Sequence, residues 1–141
     1  MVKKDVYTKK GVGLHEYNMT NYIYNLKLLN VPKIISYDKN KKVMRMEKIN
    51  GLNLSDEYGE TIDLVPSNII SQVRLIIQTL KLNNIIYPDI TGYNFIYSDD
   101  KVWIIDFEHA YFNFQNPNEY YPDTFVDDFI NGENDWNPDF K

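Results

Sequence analysis

Cysteine is absent from the 141 residues, which excludes disulfide cross-links, thiolate zinc sites and cysteine nucleophiles together and fits a reducing compartment. Histidine occurs only at His15 and His109, too few and too isolated for a metal site, so each reads as a packed or solvated side chain. Glycine and proline number six each, and neither gathers into a linker or a repeat. The longest apolar run is Val102 to Ile105, far short of a membrane span, and the start Met1-Val2-Lys3-Lys4-Asp5 lacks an apolar leader. The expectation is a soluble, cytoplasmic chain with no membrane partner. What the sequence does hold is 12 Tyr, 7 Phe and 2 Trp, enough large side chains for one core over a single unit, residues 1–141.

Charge is distributed unevenly. Residues 1–48 carry 11 basic and 4 acidic side chains, residues 49–98 carry 2 and 5, and residues 99–141 carry 2 and 11. A basic front suits phosphate groups, and an acidic back suits a divalent cation or simple solvation. The acidic total and the lack of a basic strip interleaved with aromatics argue against nucleic acid as a partner.

Periodicity supplies the elements. Val6-Tyr7-Thr8 alternates like a strand, Gly11-Val12-Gly13 reads as a turn, and Met19, Tyr22, Ile23, Leu26 and Leu29 predict a helix that begins at Leu14 and ends before Pro32. Lys33 to Tyr37 and Val43 to Ile49 predict a hairpin, closed by Asn50-Gly51. Ile69, Ile70, Val73, Ile76, Ile77 and Leu80 form the strongest helical stripe, from Ser67 to Leu82. A second small hairpin joins Phe95–Tyr97 to Val102–Ile105 across Ser98 to Lys101, and a short helix is expected near Phe125 to Ile130.

The order that results is a long apolar helix, a loop with Asp89 and Asn94, a hairpin, and Asp106-Phe107-Glu108 directly after its second strand. This order resembles the protein-kinase-like superfamily, in which a catalytic Asp is followed five residues later by an Asn and then by a strand pair that ends in an Asp-Phe-Gly-type motif. Phosphoryl transfer needs oxygen ligands that hold magnesium against nucleotide phosphates and a carboxylate to accept the proton of the attacking hydroxyl. By resemblance, Asp106 and Asn94 are the metal ligands and Asp89 is the catalytic base. A plain loop-capping role for Asp89 and Asn94 is the alternative.

The resemblance extends upstream. Val6-Tyr7-Thr8-Lys9 looks like the strand that carries the phosphate-binding lysine, with Glu16 as its ion-pair partner and Lys10 as a rival for the lysine role. Met44 to Gly51 resembles the strand that runs into the interlobe hinge, with Met46 as gatekeeper and the backbone of Glu47 to Ile49 offering hydrogen bonds to adenine. Glu108 stands where the motif glycine is usual, as in aminoglycoside and choline kinase-like enzymes, and is either a further metal ligand or a solvated turn residue. Tyr87-Pro88-Asp89 replaces the usual His-Arg-Asp or His-Gly-Asp.

The expected architecture is α+β, a reduced two-lobed kinase-like fold with residues 1–50 as small lobe and hinge and residues 51–141 as the larger lobe. The expectation is that no Gly-rich loop covers the phosphates, Gly11-Val12-Gly13 being too short, and that the 31 residues after Ala110 do not form the remaining helices of the larger lobe. The uncovered face of the Ser67–Leu82 helix is then expected to receive the aromatic tail (Tyr111, Phe112, Phe114, Tyr120, Tyr121, Phe125, Phe129, Trp136), with a homodimer or a partner protein as the alternative. The resemblance implies an ATP-dependent phosphotransferase that uses Mg2+ or Mn2+ and acts on a protein or small-molecule hydroxyl. The competing expectations are a pseudokinase that binds nucleotide or protein without turnover, and an unrelated α+β fold.

Overall fold

In the computed structural model, residues 5–113 and 123–140 are described. The first strand, β1 (Val6–Lys10), runs antiparallel to β3 (Val43–Glu47), which also pairs with β2 (Ile34–Asp38), giving the order β1-β3-β2. The register sets Lys9 opposite Met44 and Val6 opposite Glu47. Alternation along β3 buries Met44 and Met46 against Val12, and Tyr17 stacks on Tyr37 at 4.3 Å beside them. β1 runs two residues further than its alternation predicts, so that Lys9 and Lys10 belong to the sheet.

Helix α1 (Leu14–Leu26) starts immediately after Gly13. Its end comes earlier than the apolar spacing predicts, because Lys27 adopts a left-handed conformation (φ 58°) and its N–H turns back to the Tyr24 carbonyl. The chain beyond it crosses to the other part of the molecule, where the Ile104 N–H donates to the Asn30 carbonyl at 3.1 Å. A helix that periodicity does not reveal, α2 (Leu54–Tyr58), has Asn53 as its cap, accepting from the Asp56 N–H at 2.8 Å.

Helix α3 (Ser67–Leu82) buries all six residues of the predicted stripe. Each contributes about 1.5–3 kcal/mol of apolar burial, which makes α3 the centre of the larger core. Strands β5 (Phe95–Ser98) and β6 (Lys101–Ile104) form the predicted hairpin. Its two-residue turn needs left-handed backbone at both positions, and Asp99 (φ 54°) and Asp100 (φ 62°) supply it. β4 (Ile85–Ile86) pairs with β7 (Tyr111–Phe112), a contact too short to leave a periodic trace.

The tail does cover α3. In α4 (Asp123–Ile130), Val126 and Phe129 are buried, and Trp136 follows them into the core. Arg74 on α3 donates from Nε to the Phe129 carbonyl at 3.2 Å. Tyr111 is buried in the same core, whereas Phe114, Tyr120 and Tyr121 lie outside the described residues. Among the described residues no helix is long and apolar enough to cross a membrane.

Candidate active site

A cleft of about 350 Å³ separates the sheet from the helical part of the molecule. Tyr7, Lys9, Met44 and Met46 line its sheet side, Glu47 to Ile49 its back, and Ile96, Ile105, Asp106 and Phe107 its floor. The predicted gatekeeper Met46 and the predicted hinge residues Glu47 and Ile49 therefore border one space. Two of the hinge N–H groups are already used, Glu47's by the Lys33 carbonyl (2.9 Å) and Lys48's by the Asp5 carbonyl (3.0 Å). Among the described residues the Ile49 N–H has no backbone acceptor.

Successive strand residues face opposite sides, so only one of the two candidate lysines enters this cleft. It is Lys9: its Nζ donates to Glu16 Oε2 at 2.6 Å and to Asp106 Oδ1 at 3.3 Å. Lys10 is exposed. The pair with Glu16 spans only seven residues because α1 begins at Leu14, which brings Glu16 into the first helical turn beside the strand. Burial by itself would lower the Lys9 pKa, but the Glu16 bond and the Asp106 charge outweigh it and hold the ammonium above its usual 10.5. The Glu16 carboxyl is raised, because its burial outweighs the Lys9 bond and charge.

Asp106 has φ 65°, a conformation that few non-glycine residues adopt and that aspartate tolerates better than most. Its neighbours fix it there. Phe107 is 1% exposed and meets Tyr87 edge-on at 5.6 Å, while the Tyr87 hydroxyl donates to the Ile105 carbonyl at 2.7 Å. The tyrosine that replaces the usual histidine thus holds the backbone just before Asp106. After it, the His15 ring donates from Nε2 to the Ala110 carbonyl at 2.6 Å, tying α1 to the segment beyond the motif.

The loop with Asp89 packs beneath. Asn94 Nδ2 donates to the Asp89 carbonyl at 2.9 Å, and the Ile105 N–H donates to the Asn94 carbonyl at 3.0 Å, so the loop and the Asp106 strand end are joined through Asn94. A close approach requires the glycine between them: a Cβ on Gly92 would lie 2.2 Å from Ser55 Oγ on α2. Asp89 is 5% exposed, and burial, reinforced by the Asp106 charge, raises its pKa to about 6 despite bonds from His109 and Asn94. The His109 Nδ1 lies 3.4 Å from Asp89 Oδ2. The sequence alone reads His109 as packed or solvated, and only the fold-back of the chain after Asp106 brings it to Asp89.

Asp106 and Glu108 come together with Glu16: one carboxylate oxygen of each lies within 4.8 Å of the others. Three hard oxygen donors with one ammonium among them fit a magnesium or manganese ion, which would offset the excess negative charge. Asn94, the other predicted ligand, sits on the adjoining loop with its Nδ2 on the Asp89 carbonyl, so that of its two amide atoms only the oxygen has the chemistry to ligate an ion. Glu16 is the member of this group that the motif alone does not suggest as a ligand.

A three-stranded sheet, a connecting hinge, and a helical part that bears an Asp/Asn loop and a left-handed Asp before Phe-Glu make this a protein of reduced, kinase-like α+β architecture. The RIO domain model matches residues 6–120, and the chain belongs to that family of atypical protein-kinase-like proteins. It is also similar to the EKC/KEOPS complex subunit BUD32 of Enterocytozoon bieneusi (strain H348), with 34% identity over 104 residues, 66% of this chain and 51% of that protein. The chain thus spans about half the length of the curated relative it matches. Membership supports a kinase-like, ATP-binding role of the transferase type in general.

Proposed function

We propose that this protein is a magnesium-dependent phosphotransferase that moves the γ-phosphoryl group of ATP to a hydroxyl of a protein or small molecule. The observation that carries the reading is the Lys9 ammonium held between Glu16 and Asp106 at the edge of the cleft. A lysine so held meets the nucleotide phosphates, and the Ile49 N–H meets the adenine beneath Met46. Asp106, Glu108 and the Asn94 amide oxygen hold Mg2+ or Mn2+, which when bound neutralises developing phosphate charge. Asp89 takes the proton of the acceptor hydroxyl as its oxygen bonds to the γ-phosphorus and the bond to the β-phosphate bridge breaks, releasing ADP. A carboxyl with pKa about 6 is charged at neutral pH and more basic than an ordinary aspartate. Residues 1–50 hold the nucleotide and residues 51–141 carry the chemistry, in one cytoplasmic unit. By its likeness to a protein named as a complex subunit, the chain works bound to protein partners.

A second reading, nucleotide binding without turnover, is favoured by one observation: Asp89 is nearly buried and is not among the residues lining the cleft. Thermal denaturation with ATP or ADP, each with magnesium, manganese or EDTA, tests the shared part of both readings, since a ligand at a hundredfold excess over its Kd stabilises by about 2.7 kcal/mol. A metal-dependent rise in Tm that vanishes in Asp106→Ala is expected, and no rise under any condition refutes the nucleotide site. ADP release from bound ATP then separates the two, its absence with every acceptor and partner tried favouring the second.

A further inference from the structure

The backbone around Asp89 is held within its own loop by few bonds. Pro88 has no N–H, and the internal bonds are two three-residue turns, Ile90 N–H to the Pro88 carbonyl (2.8 Å) and Thr91 N–H to the Asp89 carbonyl (3.0 Å), with the Asn94 Nδ2 bond to the same Asp89 carbonyl. The carbonyls of Pro88 and Ile90 flank Asp89 in a buried stretch, where that of Pro88 has the Ile90 N–H and that of Ile90 needs a donor from outside the loop. Both accept from a single residue at the far end of the chain. Asn137 donates from Nδ2 to the Pro88 carbonyl at 2.8 Å and from its own N–H to the Ile90 carbonyl at 2.8 Å. Its Oδ1 in turn accepts the Asp139 N–H at 3.1 Å, so every polar group of the amide is used. Asn137 is 6% exposed.

The residue before it is fixed independently. Trp136 stacks on Phe129 of α4 at 6.1 Å and on Phe95 at 6.3 Å, and Phe95 directly follows Asn94. The tail therefore does more than cover α3. We propose that Asn137 is a positioning residue for phosphoryl transfer: by bonding the carbonyls on both sides of Asp89 it fixes where that carboxylate points. This rests on the phosphotransferase reading above and adds a residue that acts through Asp89 without touching nucleotide or metal. Neither a shorter side chain nor a carboxylate reproduces the pair of bonds. Alanine lacks the Nδ2 donor, and aspartate sets an oxygen against the Pro88 carbonyl.

The test uses the full chain with Asn137→Ala and Asn137→Asp, and Asn134→Ala as a control that removes a different tail bond, from Nδ2 to the Phe125 carbonyl at 3.2 Å. Three quantities are read: hydrogen–deuterium exchange over residues 87–94, the Kd for magnesium-ATP by calorimetry, and ADP release. In both Asn137 variants the Ile90 and Thr91 amides should exchange faster and kcat should fall by about 10- to 100-fold, the cost of a misplaced reacting group, with Kd unchanged. Asn134→Ala should leave exchange and kcat as in the wild type at a comparable loss of Tm. If Asn134→Ala produces the same loss, or if loop exchange in the Asn137 variants is unchanged, the proposal is overturned. Should Asn137→Ala fail to fold, Asn137→Asp, which keeps the backbone bond and side-chain size, decides alone. A wild type that binds ATP but releases no ADP overturns the phosphotransferase reading, and the exchange comparison then shows separately whether Asn137 clamps the loop.

Discussion

Replacing Asp89 by asparagine should make the protein more stable and less active, and the size of the gain follows from its surroundings. The native carboxyl keeps its proton up to about pH 6, whereas an ordinary aspartate releases it near 3.8. Between those values the native state binds more protons than the unfolded one, so stability is highest below pH 3.8 and is lost as pH rises through about 6. A gap of about two pH units at 1.36 kcal/mol each amounts to about 3 kcal/mol at pH 7.5. Asparagine is nearly the same shape and carries no charge. It gives up about 1 kcal/mol from the weakened contact with His109, which leaves a net gain of about 2 kcal/mol, or roughly 5–8 °C in Tm for a chain of this length. Thermal denaturation of wild type and variant from pH 4 to 8 measures it: the two Tm values should nearly coincide around pH 4–4.5, diverge as pH rises to about 6, and stay apart above it. ADP release by the variant should fall by about 100-fold or more, while magnesium-ATP still binds. A Tm difference that does not change with pH, or a variant less stable than the wild type at pH 7.5, would refute the reasoning.

Lys9→Met removes the cation between Glu16 and Asp106, so magnesium-ATP affinity should drop by about tenfold or more in calorimetry and stability by about 1–3 kcal/mol in urea denaturation. Gly92→Ala drives a Cβ into Ser55 Oγ and should cost about 1–3 kcal/mol; Ser55→Gly in the same chain should restore part of it, and no recovery would mean that the clash lies elsewhere. Phe129→Ala opens a cavity between α3, α4 and Trp136 and should cost about 3–5 kcal/mol in urea denaturation. Wild-type turnover should rise with pH as Asp89 ionises near 6, and a flat profile from pH 5 to 7.5 in kcat would argue against Asp89 as the base.

The stripe on α3 was legible because six apolar residues repeat at helical spacing, and burial in a core enforces that period whatever else the chain does. The motif spacing likewise points to Asp89, Asn94 and Asp106, while Lys9 and Glu16 enter only through the family resemblance and at a separation shorter than usual; the fold brings Lys9, Glu16 and Asp106 into contact. Other features had weaker signals. Helix α2 is five residues long, too short for a period, although Asn53 followed three residues later by Asp56 is a capping pattern that could have revealed it. The early end of α1 depends on one left-handed lysine, which no propensity marks. Contacts such as His109 with Asp89, β4 with β7, and Asn137 with the loop join residues 20 to 49 positions apart. They follow from how the chain returns on itself, and local patterning holds no record of that path. The engaged N–H groups of Glu47 and Lys48 were equally invisible, because their acceptors come from other segments.

Asp106 combines two demands that are usually met by different residues. Its backbone lies at φ 65°, which glycine accepts freely and asparagine and aspartate tolerate; its side chain must present a carboxylate to Lys9. Glycine meets the first demand alone and glutamate the second alone, with asparagine keeping the backbone and losing the charge. In a library randomised at this one codon, selection for a folded chain would favour glycine, asparagine and aspartate, and selection for a working one would favour aspartate alone. The position is constrained twice, by independent causes, and its narrow tolerance would look like functional conservation even if half of it were conformational.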